Sequence, residues 1–356
     1  MKEHTPGGAQ TRSRQHRAFG GAPFPATAEY GDGAHICAEG RWYTDWTGSL
    51  ASVGLGYDHP RVTGAVTGAL SSIALPLPNA IESRYAGKLC GALMWPDQAR
   101  FVKTGSEATA AAMMIARRET GRRKIISVGY HGWHDAHQPS AELVTIPWGS
   151  WAVFDAIDEH TAAVLMEPMR TSEPPPGYLK DIREWAHRWG ALFIMDEVVT
   201  GFRWALGGAT EYYDLKPPDL ACFGKAMANG YPLAAVVGKA DIMRHAVDVS
   251  GTFGGDVVAL TAAEQVLTEY LDYDVIGHLW NTGEELIRQC DGILRGYGVH
   301  PYFAVAEGGS WLDSTVAVPF VRKALAAGHL VHPAGLNMMY AHTMNDVKAL
   351  AGALRS

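Results

Sequence analysis

Between about residues 100 and 240 the chain alternates short, nearly unbroken apolar runs with stretches whose apolar residues recur at helical spacing. The apolar runs are Lys124 to Tyr130, Ala162 to Met169, Ala191 to Val198, Leu220 to Phe223 and Ala234 to Gly238. Runs of this kind, lacking polar alternation, predict strands covered on both faces, as in a parallel sheet with helices on each side. Between them, Glu107 to Arg118 and Asp181 to Trp189 predict helices, each followed by a glycine (Gly121 and Gly190) suited to a left-handed C-cap. The centre of the chain therefore reads as α/β. After Asp256 the pattern turns helical, over Val257 to Tyr270 and Val275 to Leu294, and ends in a mixed stretch from Gly298 to Ser356. Residues 1–55, rich in glycine and aromatics, read as an arm or small-domain segment, residues 56–266 as a large domain and residues 267–356 as a smaller C-terminal domain. There is no internal repeat or low-complexity tract.

Composition narrows the function. The chain has 356 residues, 47% of them hydrophobic, enough for a sizeable core. A net charge of −7 without long runs of one sign carries no footprint for nucleic acid, which points to small-molecule chemistry. The absence of an 18-residue apolar run and the polar start of the chain lead us to expect no membrane span and no signal peptide. Cys37, Cys90, Cys222 and Cys290 lack metal-like spacing and are expected to be free thiols in a reducing, cytoplasmic setting.

Three segments carry candidate chemistry. Asp196 ends one predicted strand and Lys225, in Phe223-Gly224-Lys225-Ala226, follows another. Ligands of parallel α/β sheets sit beyond the carboxyl ends of strands, so both side chains can reach one crevice. There a partly dry lysine can lose its proton and attack an aldehyde, and an acid can keep a ring nitrogen protonated. A helix cap and a solvated charge remain the plain alternative for such a pair. In Lys103-Thr104-Gly105-Ser106-Glu107, small polar residues open a helix after a strand, so Gly105 and Ser106 can offer free N–H groups to a phosphate; an ordinary N-cap is the alternative. No G-x-G-x-x-G follows a strand, which argues against a dinucleotide. In Tyr130-His131-Gly132-Trp133-His134-Asp135, an aromatic can stack on a flat ring. The histidines suggest a metal, but Gly132 weakens a helical ligand pair and no third ligand cluster is evident, so no metal is expected.

In this order the three motifs resemble the class III aminotransferases, most closely their glutamate-1-semialdehyde aminomutase branch. The resemblance runs over roughly residues 18–270. It continues through Asp196-Glu197-Val198-Val199-Thr200-Gly201-Phe202-Arg203, Ala205-Leu206-Gly207-Gly208-Ala209, Pro218-Asp219-Leu220, Gly224-Lys225 and Gly230-Tyr231-Pro232, and it thins over the last ninety residues. It implies the pyridoxal 5′-phosphate (PLP) fold type I, a large domain with a mainly parallel sheet and a smaller α+β domain built from both ends of the chain. It also implies a Schiff base on Lys225, Asp196 at the pyridine nitrogen, Gly105 and Ser106 at the phosphate, and Tyr130 and Val198 on opposite ring faces. Thr252 would reach the phosphate of a neighbouring subunit's cofactor, hence a homodimer with shared sites, and Glu167, in Met166-Glu167-Pro168, would stand near the site in a supporting place.

The chain departs from the aminomutase pattern at Leu50, where that branch has a tryptophan after Gly48-Ser49, and in a compressed stretch after Asp135. We therefore expect an aminotransferase working between an amino donor and a keto or aldehyde acceptor, such as an amino acid, an amino sugar or a secondary-metabolite intermediate. Intramolecular transfer by an aminomutase is the alternative, an epimerase a further one, and a non-catalytic PLP-binding regulatory or assembly protein the alternative of another class.

Overall fold

The computed structural model describes residues 4–19, 24–72, 76–169, 172–304 and 314–356. The chain gathers into two compact units, one made of residues 61–272 and the other of both ends of the chain, residues 1–60 and 273–356.

In the terminal unit, strands β1 (Tyr30–Asp32), β2 (His35–Ala38) and β3 (Arg41–Asp45) form an antiparallel meander. Its core holds Trp46, fully buried and stacked on His342 with ring centroids 4.1 Å apart. His342 Nδ1 accepts from the Met339 N–H at 2.9 Å, so Nε2 carries the hydrogen and donates to the Asp45 carbonyl at 2.9 Å. Residues Gly48–Ala51 all have φ between 49° and 66°, a left-handed turn containing Ser49, Leu50 and Ala51.

The unit's buried histidines make a pH prediction. Burial lowers the pKa of both His332 and His342 to about 4, against an ordinary value near 6.5. A folded pKa below the unfolded one means that the unfolded chain binds protons first. The resulting stability is complete above about pH 6.5 and is lost as pH falls towards 4, by up to roughly 3 kcal/mol per histidine. Thermal unfolding midpoints measured from pH 7.5 to 4.5 should fall through this window, whereas a flat profile would contradict the burial of these rings.

The central unit is built on a sheet ordered β4-β10-β9-β8-β7-β5-β6. Its strands are β4 (Gln98–Val102), β5 (Lys124–Val128), β6 (Leu143–Ile146), β7 (Thr161–Met166), β8 (Leu192–Asp196), β9 (Leu220–Phe223) and β10 (Ala234–Gly238). Strands β5 to β9 pair in parallel, and β10 runs antiparallel to both β9 and β4. Two reversals restore the direction, so β4 points the same way as the parallel strands and all six carboxyl ends lie along one edge.

The strands end sooner than their apolar runs. Strand β5 stops at Val128 because Gly129 takes φ +111°, and β7 and β8 stop at Met166 and Asp196. The residues left over, Gly129-Tyr130, Glu167 and Val198, become the loops at that edge. The helix Gly105–Thr120 buries Ala108, Ala111, Ala112, Met113, Ile115 and Ala116 against the sheet and ends at Gly121, φ +67°. The helix Tyr178–Arg188 buries Tyr178, Leu179, Ile182 and Ala186 and is followed by Gly190, φ +69°.

After the helix Val257–Asp272 comes the helix Val275–Gln289 of the terminal unit, which stops short of the expected Leu294. Asp291 and Gly292 take positive φ and break it. Leu294 instead opens strand β11 (Leu294–Tyr297), which pairs with β12 (His300–Phe303). The unit is completed by β13 (His329–Leu330), which joins β3 in parallel, and by the helices Val318–Ala326 and Met344–Arg355. Among the described residues no helix is long and apolar enough to cross a membrane.

Candidate active site

Five strand ends deliver the site. The register pairs Val128 with Met166, Met166 with Met195, and Asp196 with Cys222, so the residues following them emerge side by side about 5 Å apart from strand to strand. In this way Tyr130, Glu167, Asp196 and Lys225 reach one edge, and β4 adds the helix start at Gly105.

Lys225 stands in the left-handed region, φ +45°, where a side chain other than glycine or asparagine is strained; such strain clusters at functional positions. The residue keeps part of its surface open, yet burial around its amine lowers the pKa. The charges of Asp196 and Glu167 pull in the other direction, and Arg203 adds to the lowering. A lysine so placed is reachable and inclined to shed its proton.

Asp196 is buried and firmly held. Oδ2 lies 2.7 Å from His131 Nδ1, and Oδ1 accepts from the Val198 N–H at 3.2 Å. His131 Nε2 faces the Val128 carbonyl at 3.2 Å. Both ring nitrogens thus face acceptors, and both bonds form together only when each nitrogen carries a hydrogen. The two contacts fix the imidazole, and with it the Asp196 carboxyl, in place. The neighbouring Glu197 turns the opposite way: it is wholly buried and accepts from Thr200 Oγ1, from the Ala209 N–H at 2.8 Å, and from the Thr210 N–H at 2.9 Å and Oγ1 at 2.6 Å. Burial raises its pKa. Of the two adjacent acids, then, one serves the edge and the other ties down the following loop.

At the helix start a capping box occupies Glu107, whose Oε2 accepts from the Lys103 and Thr104 N–H groups at 2.8 and 2.7 Å, while Thr104 Oγ1 accepts from the Glu107 N–H at 3.2 Å. The next two amides, Gly105 and Ser106, have no acceptor among the described residues, as the first turn of a helix dictates. A Cβ on Gly105 would lie 2.7 Å from Val198 Cγ1, and one on Gly224 3.4 Å from the same methyl. Val198 is therefore wedged between the helix start and the residue before Lys225.

Tyr130 is 64% exposed at the edge, while its N–H donates to Glu167 Oε2 at 3.1 Å. Trp148 Nε1 donates to the Glu167 carbonyl at 2.9 Å. Glu167 thus supports the Tyr130 backbone and places charge near Lys225. Thr252 is exposed in the turn before Asp256, a turn anchored by a 2.6 Å ion pair from Lys103 to Asp256, and makes no hydrogen bond to Lys225, Asp196 or Ser106 among the described residues. Trp133 is 74% exposed, with His134 at its edge. Among the described residues no group of three or more metal-type ligands is present.

His131, His137 and Trp148 are the residues that sequence reasoning did not single out. His131 was visible only within a metal-like run; its partner Asp196 lies 65 residues away in the chain, and nothing local announces it.

The set fits PLP on the evidence of the residues themselves. It has a depressed lysine amine for an aldehyde, an anchored carboxylate for a ring nitrogen, two unbonded helix amides for a phosphate, and a pair of flanking side chains, Tyr130 and Val198. Among solved structures, the chain is similar to the PLP internal aldimine form of the FumI protein of Sphingopyxis sp. MTA144, at 27% identity over 93% of this chain and 88% of that one, TM-score 0.84. It is similar also to a β-phenylalanine aminotransferase of Variovorax paradoxus, at 26% identity over 93% and 86%, TM-score 0.83. An omega-transaminase of Sphaerobacter thermophilus, at 23% identity over 94% and 92% with TM-score 0.81, shares the fold. The aminotransferase class-III family model matches residues 18–137 and 150–346, so the likeness extends well past residue 270 into the C-terminal unit. The chain belongs to the class III aminotransferases, which are PLP-dependent enzymes of amino-group transfer.

Proposed function

We propose that the chain is an intermolecular aminotransferase, passing an amino group from a donor to a separate keto or aldehyde acceptor, with Lys225 holding the cofactor and moving the proton. The observation that carries this reading is the Lys225 amine, desolvated yet reachable, set among the charges of Asp196 and Glu167. When bound, PLP supplies an aldehyde for amines and a ring that withdraws electrons from the carbon next to the nitrogen.

The chain's own residues do the rest. Lys225, its pKa lowered by burial, offers a lone pair at Nζ once it has shed its proton, and then takes and returns one proton there. Asp196, pinned by His131 and the Val198 N–H, keeps negative charge at the ring nitrogen, and its fixed position means that no reorganisation is needed during the reaction. Gly105 and Ser106 bind the phosphate through their N–H groups, aided by the positive end of the helix. Tyr130 and Val198 take opposite ring faces. Glu167 props the Tyr130 backbone.

We read Thr252, exposed on its anchored turn, as a residue serving the phosphate of a second subunit, which makes the active form a homodimer. The four free thiols support a reducing, cytoplasmic setting.

The departures from the aminomutase pattern at Leu50 and after Asp135 favour a reaction from which the intermediate product escapes. The similarity to a β-phenylalanine aminotransferase makes β-amino acids a first donor class to try. Given donor alone, the enzyme is expected to release one equivalent of keto or aldehyde product and stall until an acceptor is added. Rapid isomerisation of glutamate-1-semialdehyde without acceptor would overturn this in favour of an aminomutase. Tight cofactor binding without conversion of any donor would favour a non-catalytic role.

A further inference from the structure

The reading just given places the phosphate at the Gly105 and Ser106 amides, and the inference here rests on it. Behind those amides lies a polar cluster that the reaction itself does not use. The Thr109 hydroxyl, buried one turn into the helix, lies 2.8 Å from the His131 carbonyl, 3.0 Å from that of Gly105 and 3.2 Å from that of Ser106. It also lies 3.1 Å from His137 Nε2, which in turn lies 3.3 Å from the Ser106 carbonyl. A carbonyl only accepts, so Nε2 carries the hydrogen and shares it between Ser106 O and Thr109 Oγ1. Burial lowers the His137 pKa, which favours the neutral ring. On the other side, Gly132 at φ +131° presses on Ser106: a Cβ there would lie 2.1 Å from Ser106 Oγ.

The consequence follows from peptide geometry. The Gly105 carbonyl and the Ser106 N–H belong to one rigid plane, so whatever fixes the carbonyl aims the amide. The Thr109 hydroxyl shares its one hydrogen between that carbonyl and those of His131 and Ser106, and His137 holds Thr109 together with the Ser106 carbonyl. His137 is also the last residue matched before the family model breaks off, to resume at residue 150.

We propose that His137 is a positioning residue for phosphate recognition, which aims the Ser106 amide from behind through the Thr109 hydroxyl and steadies the next peptide, Ser106 to Glu107, through the Ser106 carbonyl. It touches neither cofactor nor substrate. Its loss should weaken the hold on a phosphate and leave the hold on the pyridine ring and aldehyde untouched.

The test titrates the full-length apo chain with PLP, with pyridoxal (the same ring without phosphate) and with inorganic phosphate as a competitor. His137→Leu is expected to weaken PLP about tenfold, the loss of a hydrogen bond to a charged-ligand site, and to change pyridoxal affinity by less than about twofold. His137→Gln, whose side-chain N–H reaches a similar place, should restore most of the difference. Equal weakening of PLP and pyridoxal, or no change in either, would overturn the proposal. If His137→Leu does not fold, Thr109→Val removes the same relay with little change of shape and must give the same phosphate-selective loss. A wild-type chain that binds PLP no more tightly than pyridoxal would instead refute the placement of the phosphate, a failure distinct from that of His137.

Discussion

Replacing Lys225 with alanine is expected to abolish turnover, by at least about a thousandfold, because in the role proposed for it Lys225 both holds the cofactor and moves the proton. The same variant should leave borohydride unable to fix cofactor covalently to the chain, since that reagent captures only a cofactor held through a lysine amine. Peptide mapping provides the check. In the wild type the label should fall on Lys225, and a label on Lys103 or Lys239 would remove Lys225 from its role. Lys103 makes a good internal control, since its amine is already committed to Asp256 at 2.6 Å and to the Pro232 carbonyl at 3.0 Å. Mixing Lys225→Ala chains with Thr252→Ala chains extends the test to the dimer. If Thr252 serves the other subunit, each mixed dimer has one site with both defects and one with neither, and activity rises above that of either parent. Proven subunit exchange without recovery would count against shared sites.

Asp196→Asn is expected to retain cofactor and to lower turnover by about a hundredfold to a thousandfold, the usual effect of removing one preorganised electrostatic partner of a developing charge. Retention follows because Lys225, Gly105 and Ser106 are untouched. The amide oxygen of asparagine can still accept from His131 Nδ1, so the shape of the edge persists while its charge goes. Absorbance of the bound cofactor together with kcat on a working donor separates the two effects. Near-normal turnover with full cofactor occupancy would mean that the charge at Asp196 does no catalytic work. Loss of cofactor together with activity would mean that Asp196 acts mainly in binding.

Much of this architecture was legible along the chain. The apolar runs marked five of the seven strands of the central sheet, β5 and β7 to β10, because a strand buried on both faces tolerates little else, whereas β6 (Leu143–Ile146), with its mixed burial at the sheet edge, left no such run. The runs overshot the strand ends at Tyr130, Met169 and Val198, because the ladder stops at a turn such as Gly129 while residues beyond it, such as Met169 and Val198, still pack against the protein interior. Lys225 and Asp196 could be singled out because a charge at the end of an apolar run is conspicuous. His131 and His137 could not, since each gains its meaning from partners brought in by the fold, Asp196 for one and Ser106 and Thr109 for the other. The Asp196-Glu197 pair shows the limit most sharply. Two adjacent acids look alike in a sequence, and only the direction each takes after β8 separates the one that faces the chemistry from the one that nails down a loop. The expected helix through Leu294 failed for a local reason, the Asp291-Gly292 break, which a closer reading of Asp-Gly as a turn signal would have caught.

The left-handed turn at Gly48–Ala51 bears on how this enzyme can be re-engineered. Its mirror-image winding disfavours every side chain at residues 49, 50 and 51, by roughly 1–2 kcal/mol each, so glycine would suit the backbone better at all three. Substitutions made there to alter specificity will therefore be read through two channels at once. A gain in stability on changing Leu50 to glycine can come from relaxed winding alone, with no bearing on what the side chain contacts. A library at position 50 needs Leu50→Ala as its baseline in place of the wild type, since alanine already carries the Cβ penalty, so that what remains of each other residue's effect belongs to the atoms beyond Cβ.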